Sequence, residues 1–528
     1  MIKALWSRFI AKKAQSNRTI HGDDLSTSIE RAGCLAKNLR TTLQEHAKNK
    51  FFVTRTLPKL LKHLSALDWP TIEIEKVLAY ADFYSGANER GYQRVMQQEL
   101  AREDYTLFMT ACVFCYLADR FTEGAALLDM FQPDQDPSTD WNEYNAFAGY
   151  IHVAAGRPLA QGLAYFDHAL EMGCYSPLLA VNAYPLYFEA GQLAQCQTLH
   201  ALMQRNSQDD PEVLYARACV ELARNYYPEG FRLMEARYCM PDVARSMNAS
   251  LLPKPRWRGQ PITGKRLLIH GEQGLGDMIM MARYLPALHA QGVELLLDCR
   301  AEALSLMTDN FPYCHFFVSD LKQAILEQFD YWTGLMSLPH LFNTAAFSVP
   351  FTGGYLTTPG DQQAYWRERI SVLAARCRLR VGLAWSGNPG HRADKRRSIP
   401  FESMRPFIQR HPDVRFFSLQ THVPNYRPAN LVDMADELIT MADTAAVIAE
   451  MDLVISVDTA AIHLAGALAA PAWLLLPHRY EWRWGLEGHD NAWYGSVQVW
   501  RQSESGAWDD LLENISAALK QHANKGVQ

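Results

Sequence analysis

A change of rhythm on either side of a Pro- and Gly-spotted stretch, LLPKPRWRGQPITGK (Leu251–Lys265), constrains this chain more than any other feature. Downstream, short apolar runs alternate with helical patterns. RLLIH, VELLLD, LRVGLAW, VRFFSLQ, LVISVD and AWLLLP read as strands; DMIMMARYLPALHAQ, AEALSLMTD, FESMRPFIQRH, TAAVIAEM and AAIHLAGALAA read as helices between them. Strands that are apolar along their length need cover on both faces, as in parallel sheets with helical crossovers. The rhythm restarts after Trp366, so two Rossmann-like domains are expected to face one another, over residues 266–375 and 376–528. Ligands of such sheets bind at the carboxyl ends of the strands, here in the cleft between domains.

Upstream, from about residue 25 to 240, the periodicity is helical. A faint repeat runs through it: LADRFTEGAALLDMF, AAGRPLAQGLAYFDHAL, EAGQLAQCQTLHALM and LARNYYPEGFRLMEARY share a helix end, a turn and a second helix. The turn positions Asp119, Gly156, Gly191 and Asn225 are 37, 35 and 34 residues apart. Gly and Asn suit the left-handed backbone that ends a helix. A period near 34 with paired helices resembles tetratricopeptide repeats, whose stacked hairpins form a surface suited to gripping a polypeptide. The expected organisation is a helical region over 1–105, repeats over 106–245, a linker over 246–265, then the two α/β domains.

Bulk properties exclude several classes. At 528 residues the chain exceeds one ordinary core. A net charge of −6 argues against a nucleic-acid partner. Cys112 and Cys115 are formally C-x-x-C, but they lie in an apolar helical run, FMTACVFCYLADRF, with no second pair. Buried thiols in a reducing cytosol account for them better than zinc, so no metal is expected. The sequence has no run long enough to span a membrane, and MIKALWSRFIAKKAQS lacks the apolar centre of a signal peptide. It does place Ile2, Leu5, Trp6, Phe9 and Ile10 on one helical face with Lys and Arg elsewhere, so residues 1–15 could touch an anionic membrane surface or dock on the protein itself.

Three constellations carry the chemistry. In IHGEQGLGDMIMMARYLPAL, glycines follow a strand and Asp277 opens a helix. The order G-x-x-G-x-G departs from the dinucleotide pattern G-x-G-x-x-G, although Asp298 stands where a ribose-binding acid would. Asp277 can cap the helix, and the helix terminus would make it a weaker base. In WSGNPGHRADKRRSIP, Ser386, Gly387 and Asn388 form a turn, and Arg392, Lys395, Arg396 and Arg397 crowd behind it, as a diphosphate would need or as a solvated basic loop would show. In ISVDTAAIHLAGALAAP, Asp458 and Thr459 are good caps, small residues allow close approach, and His463 follows one turn in. The loop HRYEWRWG after the last strand can pack on a sugar or base, or anchor a domain interface.

Taken in order, GEQGLGDMIMMARYLP, GLAWSGNPGHRADKRRSIP, FFSLQ, MADTAAVIAEMDLVISVDTAAIHLAGAL and FRLMEARY resemble bacterial tetratricopeptide-repeat glycosyltransferases. The catalytic half is similar to the lipopolysaccharide heptosyltransferases, and the architecture to protein O-GlcNAc transferases. The resemblance covers roughly residues 225–500. It implies a helical (TPR-like) domain followed by a GT-B fold of two Rossmann-like domains, a nucleotide-sugar donor and no required metal or other cofactor. It makes Asp277 the general base, with Glu272, Gln273, Gly274 and Gly276 in the acceptor-side loop. It assigns the donor to Ser386, Gly387, Asn388, Arg392, Lys395, Arg397, Gln420, Asp458, Thr459 and His463. AAIH stands where heptosyltransferases carry a Gly at the second position after the Asp, which weakens an inference to heptose.

Displacing a nucleotide from an anomeric carbon requires a deprotonated acceptor hydroxyl and a neutralised leaving phosphate. The reading favoured by the sequence is a cytoplasmic glycosyltransferase with a protein acceptor held by the helical half, bacterial flagellin among the clients. The alternatives are a lipopolysaccharide or lipid-linked acceptor, a non-catalytic scaffold that kept the fold, and, more distantly, a nicotinamide oxidoreductase.

Overall fold

The computed structural model describes residues 87–97, 105–131, 140–240, 252–272, 274–318, 328–374, 377–389, 394–478, 481–503 and 508–525, with isolated positions between 75 and 82. The amphipathic stretch over residues 1–15, Gln273 and Arg392 lie outside them, as does the side chain of Lys395. The chain divides into two compact units, Met1–Val213 and Leu214–Gln528.

The first unit is helical, with α1 (Asn88–Gln97), α2 (Tyr105–Leu117), α3 (Phe121–Met130), α4 (Trp141–Ala154), α5 (Leu159–Glu171), α6 (Pro177–Glu189) and α7 (Leu193–Asn206). Their starts follow from local chemistry: the Asp140 carboxylate accepts the Glu143 N–H, and Ser176 caps α6 ahead of Pro177. The core gathers Phe108, Leu128, Tyr144, Phe147 and Ile151. Cys112 and Cys115 are wholly buried on α2, and burial pushes the Cys115 thiol up to about 12, an inert packing environment.

The four turn positions named from the repeat all have left-handed backbones, with φ of 56° at Asp119, 84° at Gly156, 69° at Gly191 and 64° at Asn225. At each, the next residue donates its N–H to the carbonyl five positions back: Arg120 to Cys115, Arg157 to His152, Gln192 to Tyr187 and Tyr226 to Glu221. This is the Schellman closure, which satisfies helix-end carbonyls.

The division between units falls within α8 (Pro211–Ala223), ahead of the Pro- and Gly-spotted stretch, so α9 (Tyr227–Met234) belongs to the second unit. That unit contains two sheets. The first has the order β3-β2-β1-β4, from β1 (Arg266–His270), β2 (Glu294–Cys299), β3 (Cys314–Val318) and β4 (Tyr331–Gly334). The second has the order β10-β9-β8-β5-β6-β7, from β5 (Leu379–Ala384), β6 (Val414–Ser418), β7 (Leu431–Val432), β8 (Leu453–Val457), β9 (Ala472–Leu476) and β10 (Val497–Arg501). Every strand pairing is parallel. The strands β8 and β9 are buried at every position, as cover on both faces requires.

The helices of this unit are α10 (Leu275–Met281), α11 (Leu285–Ala290), α12 (Leu304–Asn310), α13 (Leu338–Leu341), α14 (Gly360–Ala374), α15 (Asp394–Arg397), α16 (Phe401–Gln409), α17 (Met441–Ala449), α18 (Ala460–Ala467) and α19 (Trp508–Lys525). The single helix expected over Asp277–Gln291 is two, α10 and α11, joined by a 3-10 turn at Ala282–Tyr284. Pro286 stands in the first turn of α11, where its missing N–H costs nothing. Among the described residues no helix is long and apolar enough to cross a membrane.

Candidate active site

Both sheets reverse their winding where the singled-out loops leave them. In the first, β1 has β2 on one side and β4 on the other, so the loop from Gly271 to Gly274 leaves the strand at the switch point. In the second, β5 and β8 are neighbours from which the chain winds in opposite directions. The loops Ser386–Asn388 and Asp458–Thr459 leave there. Switch points are where open parallel sheets bind ligands.

The two switch points meet. A Cβ added to Gly276 would lie 2.6 Å from the Cδ2 of His463, so α10 rests on the imidazole of α18 through a residue without a side chain. Asp277, beside it and 8% exposed, uses both carboxylate oxygens. Its Oδ2 accepts the Gly274 N–H at 3.1 Å and caps α10. Its Oδ1 accepts from Arg483, with Nε at 2.9 Å. Arg483 also pairs with Glu481, and its guanidinium lies 4.3 Å from the Trp482 ring. Burial works against this cation, but Asp277, Glu481 and Asp458 together hold it charged more firmly than usual.

On the donor side, burial pushes the Asp458 carboxyl up to about 6, reinforced by Glu481 and opposed by Arg483 and Arg397. His463 moves down to about 3 through burial, with Arg483, Arg283 and Arg397 adding to it against Asp277. It is therefore a neutral imidazole near pH 7. Its Nδ1 lies 3.1 Å from the Tyr494 hydroxyl and its Nε2 3.8 Å from Asp458. Thr459 begins α18 but does not cap it: its hydroxyl instead lies 3.2 Å from the Ser456 Oγ. That leaves the helix's first N–H groups without a side-chain cap and corrects the expectation for Thr459.

Several of the other named residues build the frame. Gln420 Oε1 accepts from the Ser386 N–H and hydroxyl, both at 2.7 Å, and its Nε2 donates to the Ser386 carbonyl, so the turns after β5 and β6 are interlocked. Gly387 donates its N–H to Ser398, and a Cβ there would lie 2.5 Å from the Arg397 Nη2. Arg397 donates to the Asp458 carbonyl at 2.8 Å and to Asp394 at 3.3 Å. Asn388 is exposed at the loop's edge.

Glu272 is a fastening rather than an open acceptor contact. It is buried, receives Arg237 through Nε at 2.8 Å and Nη2 at 2.6 Å, and accepts the Met336 N–H at 2.9 Å. Arg237 comes from FRLMEARY, so that motif ties the glycine loop down. Arg483 and Arg237 are the residues that sequence reasoning did not single out. HRYEWRWG carried the signal for Arg483, in an arginine set between two tryptophans; within it Trp484 is fully buried against His463, at 5.0 Å between ring centroids. A cavity of about 480 Å³ lies elsewhere, at the amino end of the first sheet among Arg266, His289, Glu294 and Tyr313.

Helical hairpins followed by two parallel α/β sheets joined at their switch points make this a GT-B fold with a helical preamble. No protein-family model matches the chain. It is 27% identical over 420 residues to "Protein FlbA" of Caulobacter vibrioides, across 72% of this chain and 67% of that protein. Among solved structures, the chain is similar to an Escherichia coli ADP-heptose lipopolysaccharide heptosyltransferase II, with 13% identity, 50% of this chain and all of the other covered, and a TM-score of 0.37. A Thermobaculum terrenum O-GlcNAc transferase mutant gives 13% identity, 95% and 94% coverage and a TM-score of 0.30.

Proposed function

We propose that the chain is a glycosyltransferase that moves a sugar from a nucleotide-sugar donor to a hydroxyl of a protein acceptor, acting in the cytoplasm without a metal. The observation that carries this is the meeting of two switch points at one charged cluster. One side supplies a carboxylate, Asp277, and the other supplies Arg397, Asp458 and the uncapped start of α18. The sequence motifs that resemble heptosyltransferases fall on these same loops.

In the reaction, the acceptor oxygen forms a bond to the anomeric carbon as the carbon–oxygen bond to the nucleotide phosphate breaks. The acceptor proton goes to Asp277. The charge left on the phosphate is met by Arg397, by Lys395 and Arg392 from the same basic loop, and by the N–H groups of α18. Asp458 takes sugar or ribose hydroxyls. The helical hairpins supply a polypeptide-gripping surface, which favours a Ser or Thr of a protein such as flagellin as acceptor.

Mass spectrometry of co-expressed flagellin tests this directly. A sugar-sized mass increment is expected with the wild type and is expected to fall by about 10²–10⁴ in rate with Asp277→Asn, the usual contribution of a positioned base. Transfer should persist in a chelator. Unmodified flagellin alongside a modified lipid core would move the acceptor to lipid. Thermal stabilisation by NAD, with none by UDP, GDP, ADP or CMP, would overturn sugar transfer itself.

A further inference from the structure

We infer that Arg483 is a lock on Asp277 that the diphosphate of the incoming sugar nucleotide releases. This rests on the sugar-transfer reading above and adds to it an order of events and a residue. Both carboxylate oxygens of Asp277 are engaged: Oδ2 accepts from the Gly274 N–H, and Oδ1 accepts two hydrogen bonds from Arg483. The Arg483 guanidinium covers Oδ1 through both Nε and Nη2, so an acceptor hydroxyl cannot reach that oxygen while the pair is closed. Oδ1 can take the acceptor proton only once Arg483 leaves. The cap is built into the backbone of α10, whereas Arg483 sits in a loop after β9 and has a carboxylate on either hand.

The competitor must offer Arg483 more than Asp277 does. A diphosphate carries at least two charges and oxygens spaced for the planar fork of a guanidinium, so it fits that description better than a neutral acceptor hydroxyl. Arg397 cannot serve in the same way. It holds a backbone carbonyl and Asp394, so its loss would loosen the loop without touching the base. Trp484, the residue after Arg483, packs on the His463 ring at 5.0 Å between centroids, and His463 Nε2 lies 3.8 Å from Asp458, so the loop that carries Arg483 abuts the start of α18; the Arg483 charge lowers both groups. Donor therefore binds first, and its arrival arms Asp277.

Linkage makes this testable without knowing the sugar. If donor phosphate and Asp277 compete for one cation, removing the charge of Asp277 must tighten nucleotide binding, by the same factor that nucleotide weakens the Arg483–Asp277 pair. UDP, GDP and ADP are titrated calorimetrically into the full-length wild type, Asp277→Asn, Arg483→Met and the double variant. Asp277→Asn is expected to bind its preferred nucleotide at least fivefold tighter than the wild type, and Arg483→Met about tenfold or more weaker. The decisive result is the double variant, which should bind like Arg483→Met alone. A tightening by Asp277→Asn that survives when Arg483→Met is also present is general charge repulsion, and it overturns the lock. Equal binding by wild type and Asp277→Asn overturns the lock and leaves sugar transfer standing; no nucleotide bound by either overturns both. Should Arg483→Met not fold, Arg483→Lys replaces it. Lysine keeps the charge but lacks the fork, so the tightening by Asp277→Asn should shrink; an undiminished effect overturns the proposal.

Discussion

At the scale of single residues the junction is defined by what is small and what is neutral. Gly276 has no side chain because the His463 ring occupies the space a Cβ would take, at 2.6 Å. Gly276→Ala should displace that ring, cost about 1–3 kcal/mol as overpacking does, and weaken nucleotide binding in the same calorimetric titration. The neighbouring Asp458 and His463 give a pH dependence whose parts oppose each other. Asp458 is raised from 3.8 to about 6, so the folded protein takes up this proton before the unfolded chain does. Acidification from pH 6 towards 4 therefore favours folding at that residue. His463 is lowered from 6.5 to about 3, so over the same window the unfolded chain is protonated first and acidification disfavours folding. Burial is the main cause of both shifts; Arg483 and Arg397 face both groups, opposing the rise of Asp458 and adding to the fall of His463, with Glu481 reinforcing the rise of Asp458, and Asp277 opposing and Arg283 adding to the fall of His463. Because the histidine shift is the wider, the pair loses stability on acidification. Between pH 7 and 4.5, His463→Asn should lose less stability than the wild type and Asp458→Asn should lose more, measured as the urea midpoint by tryptophan fluorescence. The opposite order would refute the assignment of a neutral buried imidazole.

At the scale of elements, two glycines on one helical hairpin serve for different reasons. Gly156 ends α4 with φ of 84° and open space around it, so alanine meets only backbone strain. Gly162 lies within α5, where a Cβ would sit 2.6 Å from the Gly149 carbonyl oxygen of α4. Gly156→Ala should cost about 1–2 kcal/mol, the penalty of a left-handed residue. Gly162→Ala should cost more, because two helix backbones must separate. Amide exchange across α4 and α5 distinguishes them: the first variant should speed exchange only near the turn, the second along both helices. The turns were legible in sequence because each is a local matter of five or six residues. The sheets were legible only in part, and the division is physical. RLLIH, VELLLD, LRVGLAW, VRFFSLQ, LVISVD and AWLLLP are β1, β2, β5, β6, β8 and β9, the strands with a neighbour on each side. The strands the apolar runs did not reveal, β3, β4, β7 and β10, are the edges. CHFFV and VQVWR are only partly buried, and LV is two residues long, so neither a continuous apolar run nor a clean alternation survives to be read.

At the scale of the whole second unit, the site depends on pairings that no local pattern encodes. The loops after β1, β5 and β8 could be named from glycines, small residues and caps. That Asp277 faces Arg483, 206 positions away, follows only from how the two sheets are held together. Arg283 is part of that hold. It is fully buried with no carboxylate partner among the described residues, donates to the carbonyls of Met280, Pro350 and Trp493, and lies within about 5 Å of the Tyr355 and Tyr494 rings. It thus joins the turn after α10, the segment that crosses between the sheets, and the loop before β10. A buried cation is tolerable on such terms because carbonyl dipoles and aromatic faces replace its water. Arg283→Met leaves the Pro350 and Trp493 carbonyls without this donor, for a loss of about 2–6 kcal/mol at roughly 1–3 kcal/mol for each of the two unsatisfied groups. Exchange should quicken in residues 349–356 and 491–497 while β1 and β8 keep their protection. Because Arg397, Arg483 and the start of α18 stay in the second sheet's own loops, nucleotide affinity should not fall, and it should rise to the extent that Asp277 is drawn away from Arg483, whereas transfer to acceptor should fall at least about tenfold, since Asp277 must be carried to the donor by the first sheet. If nucleotide affinity collapsed together with transfer, Arg283 would belong to the donor site, and the separation of the base and the phosphate cations onto different sheets would fail as an account of the reaction.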